Sequence, residues 1–552
     1  MTQQHFSGER PRVRATFATA FLAVAIAQLI NALPPALLGT FQAEFHTEGS
    51  QLVWITAMFM IPLVVFELTF GVLGDLFGRK RLLQAGALLV VVGGVTASLA
   101  PTVHWMWVAE AICGLGAGIL FPISLAMIAA ITPGHRARAK AIAMWAGFLS
   151  LGAAISPLLA GLTAQFASWR YSYALVAVAS LAIVFVSVRA VDSSAPEGRK
   201  LDLPGQVTLA LGLTAVLYAT VEGAETGWAQ PNIVGSFIIG AILLIAFVVI
   251  ELRTRAPLIH LSLFRNRAFS IAGIVALVGM FAFLAIAFSS SMWIGNLQQQ
   301  PPIAIGILFL FIQGPAFVLI PLISFLIRRV SPRWILTVGF ALMAASGFLL
   351  STFDVSVVDW TLFIGPLLLL GIGFAFTVGS ITAVSINTVP LSYAGMASAT
   401  TNLLRDLGFA LGPVIGGAIA FSVGGSAFGA AFPTLAQNIG LPDPAIEELS
   451  HVPPIAFLSN PDLQAALPAD GVGQVLGLAV GSLADGFSVV FLVAGIAAAL
   501  AALLTLIGLG GDGPLTEDEI AEIPEAAAES ARERTGRDAS GLHRDRAEPS
   551  AT

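Results

Sequence analysis

The chain has 552 residues, of which 57% are hydrophobic and only 11% charged, where a soluble globular domain carries roughly 25% charged residues. That composition, with uncharged apolar runs of about 18 or more residues, argues against a purely soluble fold and for a polytopic helical membrane protein. The runs are apolar on all sides, which excludes the alternating strands of a bacterial β-barrel, and the single cysteine, Cys113, excludes an intrachain disulfide or a Cys-rich metal site. The net charge of −6 says little, because in a membrane chain the position of each charge matters more than the total.

Breaks at Gly, Pro and charged residues predict apolar segments near 15–39, 51–73, 84–100, 105–131, 141–165, 172–190 and 205–223. Seven more are predicted near 232–250, 269–294, 303–326, 334–352, 360–388, 402–423 and 486–509. Arg10, Arg12 and Arg14 before the first segment resemble the n-region of a signal peptide. The apolar stretch that follows is too long for an h-region and runs on through Asn31 and Pro34 without an evident cleavage site.

Basic residues test the count. With fourteen helices, twenty Lys and Arg fall on one face, from Arg10, Arg12 and Arg14 through the Arg79, Lys80 and Arg81 cluster to Arg405, and only Arg170 falls on the other, the five Arg of the tail being left out. Positive charge is retained in the cytoplasm, so both termini are expected there, in a multi-pass protein of the cytoplasmic (inner) membrane. The expected organisation is a cytoplasmic N-terminus at 1–14, a six-helix bundle at 15–190 and a linker with two additional helices at 191–268. A second six-helix bundle at 269–509 follows, carrying a solvated outer loop at 425–485, before a cytoplasmic tail at 510–552. The tail holds 11 acidic and 5 basic residues and reads as disordered.

An internal repeat supports this six, two, six layout. Residues 151–161 (LGAAISPLLAG) and 407–417 (LGFALGPVIGG) share five of eleven residues at a constant offset of 256. Repeated halves are how many secondary transporters are built, with the substrate site between them.

Ionisable residues inside a bilayer are costly and are functional candidates by default. Glu67 in the second helix, Glu110 in the fourth and the Arg405/Asp406 pair in the thirteenth are the ones available. At 1.5 Å per residue, Glu67 lies about 24 Å below the outer end of its helix and Glu110 about 8 Å below its own, so the two are not expected to pair. Each has a second reading: packing for Glu67, a wet outer vestibule for Glu110, a structural inner-gate contact for Arg405 and Asp406. Gln28 and Asn31, about one turn apart on the first helix, are placed to face one cavity, or to bond between helices. Phe66, Met144 and Trp145 are further candidates for a hydrophobic pocket.

Residues 71–83 read GVLGDLFGRKRLL. With Gly71, Asp75, Gly78, Arg79 and Lys80 at this spacing, they resemble the signature loop of the major facilitator superfamily. Glycine permits the tight turn, and Asp75 can meet a helix N-terminus or an Arg across the seam between halves. Gly152, Pro157 and Gly161 resemble that superfamily's antiporter motif, with Ser156 and Ala160 replacing two glycines. A complete copy stands at Gly408, Gly412, Pro413, Gly416 and Gly417. Such small residues let helix backbones meet closely.

The strings SWR (168–170), LDLPG (201–205), EGAETGW (222–228) and PLIHLSLFRNRAF (257–269) resemble the fourteen-helix drug:proton antiporter branch, often called EmrB/QacA-type. Two departures stand out: positions 25–27 are Ala, Ile and Ala where that branch has a first-helix carboxylate, and Glu110 occupies a position where it has Arg. The resemblance implies a major facilitator fold, with small hydrophobic or cationic compounds and protons as partners, and an envelope partner left open. Export of a specific metabolite or siderophore is the alternative on the same fold. A membrane enzyme is a remote one, since it would need paired acidic residues near a metal on an early outer loop, for which Glu44, His46 and Glu48 are the only candidates. No GxxxxGK[ST] phosphate loop, no metal-ligand spacing around His104, His135 or His260 and no nucleic-acid motif is present, so no cofactor is expected.

Overall fold

The computed structural model describes residues 9–47, 49–132, 135–194, 202–254, 257–389 and 394–509, and among these no strand occurs. The first bundle comprises α1 (Glu9–Phe45), α2 (Gly49–Phe77), α3 (Arg79–Ser98), α4 (Val103–Ile131), α5 (His135–Phe166) and α6 (Arg170–Ser187). A hairpin of α7 (Leu203–Thr226) and α8 (Pro231–Arg253) follows. The second half holds α9 (Arg267–Met292), α10 (Pro302–Val318), α11 (Ile320–Arg329), α12 (Pro332–Leu350), α13 (Ile364–Asn387) and α14 (Ala394–Asn438). Three short helices, α15 (Asp443–Ser450), α16 (Pro454–Ser459) and α17 (Pro461–Ala465), precede the last, α18 (Val472–Gly508).

Among the described residues, 13 helices are long and apolar enough to cross a membrane. The expected single segment at 303–326 is instead two helices meeting at Leu319. Pro321 lacks the N–H that would bond the Phe317 carbonyl, so the helical ladder breaks there.

The repeat is visible in how helices pair. In the first bundle α1 packs on α5, α2 on α4, and α3 on both α4 and α6; in the second α9 packs on α14, α10 on α13, and α12 on both α13 and α18. Between halves the partners are exchanged: α2 lies on α14 and α5 on α10. The antiporter-like glycines set these approaches. A Cβ on Gly152 would come within 2.1 Å of the Ala25 carbonyl of α1, and one on Gly408 within 2.2 Å of the Leu277 carbonyl of α9. One helical turn on, Gly412 faces the Phe281 carbonyl of α9, while Ser156 donates to the Leu29 carbonyl of α1 at 2.7 Å. Gly161 touches α10 and Gly417 touches Val53 of α2, so the same motif also brings the halves together.

The helix α7 packs on α2 and α14, whereas α8 packs mainly on α7 and leaves Ile238, Ile239, Ile242 and Ile245 exposed. An all-round apolar helix with an open face suits a lipid boundary. The expected solvated loop at 425–485 is mostly helix. The helix α14 runs on to Asn438, and Phe428 and Phe432, one turn apart, stack at 5.1 Å and bury with Phe457 and Val475 in a separate small core. Gly and Ala dominate that stretch, and the few Phe that organise it carry little weight in a compositional reading. The tail from residue 510 lies outside the described residues.

Candidate functional site

The signature loop joins α2 to α3. Gly78 has φ +101°, a backbone that favours glycine, and it ends α2 so that α3 starts at once. Arg79 Nη2 sits 2.7 Å from Asp75 Oδ1, and Arg79 Nη1 donates to the Ala126 carbonyl of α4 at 3.2 Å. Asp75 thus pairs with an arginine of its own motif, where the sequence leads us to expect a helix N-terminus or an arginine across the seam. Lys80 Nζ donates to the Val188 carbonyl at 2.6 Å, a cation at the C-terminal end of α6 where the helix dipole favours it. Gly71 faces open space, while Gly74, absent from the sequence-based set, packs on Ile123. The same end of the molecule holds the Arg79 N–H to Ser193 carbonyl bond and the Val191 N–H to Thr16 Oγ1 bond, both at 2.9 Å.

Across the α2–α14 seam, the carboxyl groups of Glu67 and Asp406 are close enough to hydrogen-bond to each other. Both are buried, 8% and 6% exposed. An ionised carboxylate only accepts, so such a bond requires a proton on one partner. Arg405 Nε donates to Asp406 Oδ1 at 2.9 Å, and its charge also acts on Glu67, whose Oε2 has no partner among the described residues. The residues read separately as Glu67 and the Arg405/Asp406 pair therefore form one cluster with one element from each half.

Gln28 and Asn31 line one small cavity between the bundles, facing Gln313 of α10. The opposite wall is aromatic: Phe283 stacks on Phe374 with centroids 4.2 Å apart, and Phe409 lies 6.0 Å from Phe283. The cavity, about 40 Å³, has room for a few waters only, whereas a drug-sized compound needs roughly 300–1,000 Å³. At its far end from the signature loop, Ser291 donates to the Pro35 carbonyl, and a Cβ on Gly39 would lie 3.1 Å from Gly295 Cα in the π-helical turn Trp293–Leu297. Phe66, Met144 and Trp145 do not line this cavity; Trp145 instead donates to Ser124 Oγ at 2.9 Å. A larger cavity of about 480 Å³ covers the far end of the α2–α14 seam, lined by Val53, Trp228, Phe421, Ser422, His451 and Pro454 among others.

Glu110 is away from this centre. It is fully buried inside the first bundle, where Tyr173 Oη of α6 donates to its Oε1 at 2.5 Å. A wet vestibule, the alternative reading of Glu110, is therefore not its surroundings. Neither Tyr173 nor the three phenylalanines carried a sequence signal that set them apart from packing residues.

The family model described as Major Facilitator Superfamily matches residues 19–413. Multidrug resistance protein Stp of Mycobacterium tuberculosis is 27% identical over 383 residues, 69% of this chain and 71% of that protein. The tetracenomycin C resistance and export protein of Streptomyces glaucescens is 26% identical over 494 residues, 88% of this chain and 90% of that one. Drug efflux pump JefA of Mycobacterium tuberculosis is 29% identical over 478 residues, covering 84% and 89%. A crystal structure of a variant peptide transporter POT in complex with alafosfalin shares the fold, with TM-score 0.56 at 17% identity over 89% of this chain and 93% of that one. The match to the family model, taken with the exchanged pairing of two six-helix halves, shows that the chain belongs to the Major Facilitator Superfamily.

Proposed function

We propose that the protein is a proton-coupled exporter of small hydrophobic or cationic compounds. It crosses the cytoplasmic membrane fourteen times, with α10 and α11 forming one broken span and both termini in the cytoplasm. The relatives' names, Stp as a multidrug resistance protein and JefA as a drug efflux pump, support the cargo class. So does the cavity, where phenylalanine faces attract a cation and the amides of Gln28, Asn31 and Gln313 orient it. The observation that carries the coupling is the placement of two buried carboxyl groups, Glu67 of α2 and Asp406 of α14, within hydrogen-bonding range across the seam, where a bond between them needs a proton. Rocking the halves apart at the signature-loop end parts the two carboxyl groups, and the shared proton leaves to the cytoplasm. Cargo enters the cavity from that side. Rocking the other way releases it outside, and a proton from outside restores the bond.

The name of the Streptomyces glaucescens relative, which spans 88% of this chain, favours a second reading in which the cargo is one particular metabolite. A substrate panel in everted vesicles, with the pH gradient imposed and then collapsed, separates the two. Uptake of several unrelated aromatic cations that stops on collapse supports the first reading. Uptake of one compound alone supports the second, and uptake indifferent to the gradient removes proton coupling.

A further inference from the structure

A second pair of buried carboxyl groups lies where the α7–α8 hairpin begins and ends, outside the cluster assigned to coupling. Asp202 caps α7, its Oδ1 accepting from the Gly205 N–H at 3.0 Å. Glu251, in the last turn of α8, accepts at Oε2 from the Ile259 N–H at 3.1 Å. Each group thus has one oxygen satisfied by a backbone donor, and the other turned inward. Asp202 Oδ2 and Glu251 Oε1 both lie over Gly205, where an added Cβ would stand 2.4 Å from one and 2.8 Å from the other. Neither oxygen receives a donor from any described residue. The two side chains, only 5% and 4% exposed, are within hydrogen-bonding range of each other.

Two ionised carboxylates so placed would leave two buried, unpaired charges side by side, an arrangement that proteins avoid by protonation. We propose that Asp202 and Glu251 form a binding site for one proton, which latches the base of the hairpin. Beside the latch, Gln206 Nε2 donates to the Val65 carbonyl of α2 at 2.5 Å, and Thr69 of α2 donates to Gln206 Oε1. Those bonds carry the state of the latch to the helix that holds Glu67. Loss of the proton sets like charges against each other and loosens the hairpin from α2, so alkaline pH opens the contact.

Among the described residues, the other titratable or charged groups on the elements around the latch are Tyr218 and Glu222 on α7, Arg253 at the end of α8, His260 in the following loop, Arg265 and Arg267 beyond it, and Glu67 and Asp75 on α2. Among the described residues Asp202 is the only charge that acts on Glu251. Burial pushes the His260 imidazole below its usual range, so His260 becomes charged only in acid, whereas the latch becomes charged as the pH rises.

Hydrogen exchange on the purified full-length chain in detergent tests the site without any gradient or cargo, so its outcome is independent of the transport reading. Protection of residues 203–209, 251–254 and 258–260, corrected for intrinsic exchange rates, should fall by about tenfold or more between about pH 6 and pH 9. Glu251→Gln keeps a hydrogen bond to Asp202 without a titrating proton and should make protection independent of pH, and Asp202→Asn should do the same. Wild-type protection that does not change with pH, or amide variants that retain the wild-type pH dependence, would overturn the proposal.

Discussion

Glu67 of α2 and Asp406 of α14, one from each bundle, are buried close enough to hydrogen-bond carboxyl to carboxyl, with Arg405 beside them. The bond exists only while a proton is present and only while α2 and α14 stay together, so it ties protonation to the arrangement of the halves. Glu67→Gln keeps the size and a donor but removes the titration. Transport driven by a pH gradient should fail in that variant, while exchange of cargo across a vesicle without net proton movement survives. Asp406→Asn should behave alike. A Gln variant that concentrates cargo at the wild-type rate would reduce Glu67 to a packing residue.

The Asp75–Arg79 ion pair closes the signature loop without touching the central cavity. Asp75→Asn should therefore slow turnover and leave cargo affinity nearly unchanged, measured as initial efflux rates beside equilibrium binding. Weakened binding with normal turnover of bound cargo contradicts this role.

Close approach of helices at Gly152 and Gly408 leaves no room for a methyl group. Either residue changed to Ala should destabilise the protein by about 1–3 kcal/mol through overpacking, read from thermal unfolding in detergent. Gly425→Ala, where a Cβ meets nothing within 4 Å, should not. Equal melting of all three variants would rule out the motif as a packing device.

Phe283 touches both Phe374 and Phe409 in a cluster of three mutually contacting rings on the cavity wall. Phe283→Leu keeps an apolar side chain and removes the ring, so binding of an aromatic cation should weaken by about 0.5–2 kcal/mol. A neutral aliphatic compound should bind as before. Titration of both compounds against the same variant checks the difference, and equal losses would mean that the ring serves only packing.

Topology follows from the asymmetry of basic residues. Reporter fusions after residue 460 should read external, and fusions at 200 and 530 should read cytoplasmic. A cytoplasmic signal at 460 removes the fourteen-span reading.

Hydropathy made the long helices legible from the chain alone, because a bilayer demands apolar length in each segment separately. The repeat at 151–161 and 407–417 likewise announced two related halves, and the structure pairs their helices accordingly. Long-range partners were beyond such reading. Nothing near position 67 or position 406 tells one carboxyl group that it meets the other, since their proximity depends on how α2 lies on α14. Asp202 and Glu251 stood inside or beside strings already noticed, yet their free oxygens face each other only because the hairpin folds back over Gly205. Glu110 shows the same limit from the other side: its depth in the helix was countable, but not its direction, and it points into the bundle toward Tyr173. One-dimensional pattern sets which residues are buried in helices; the choice among buried partners is made by side chains from distant segments competing for the same space, and only the packed tertiary structure decides it.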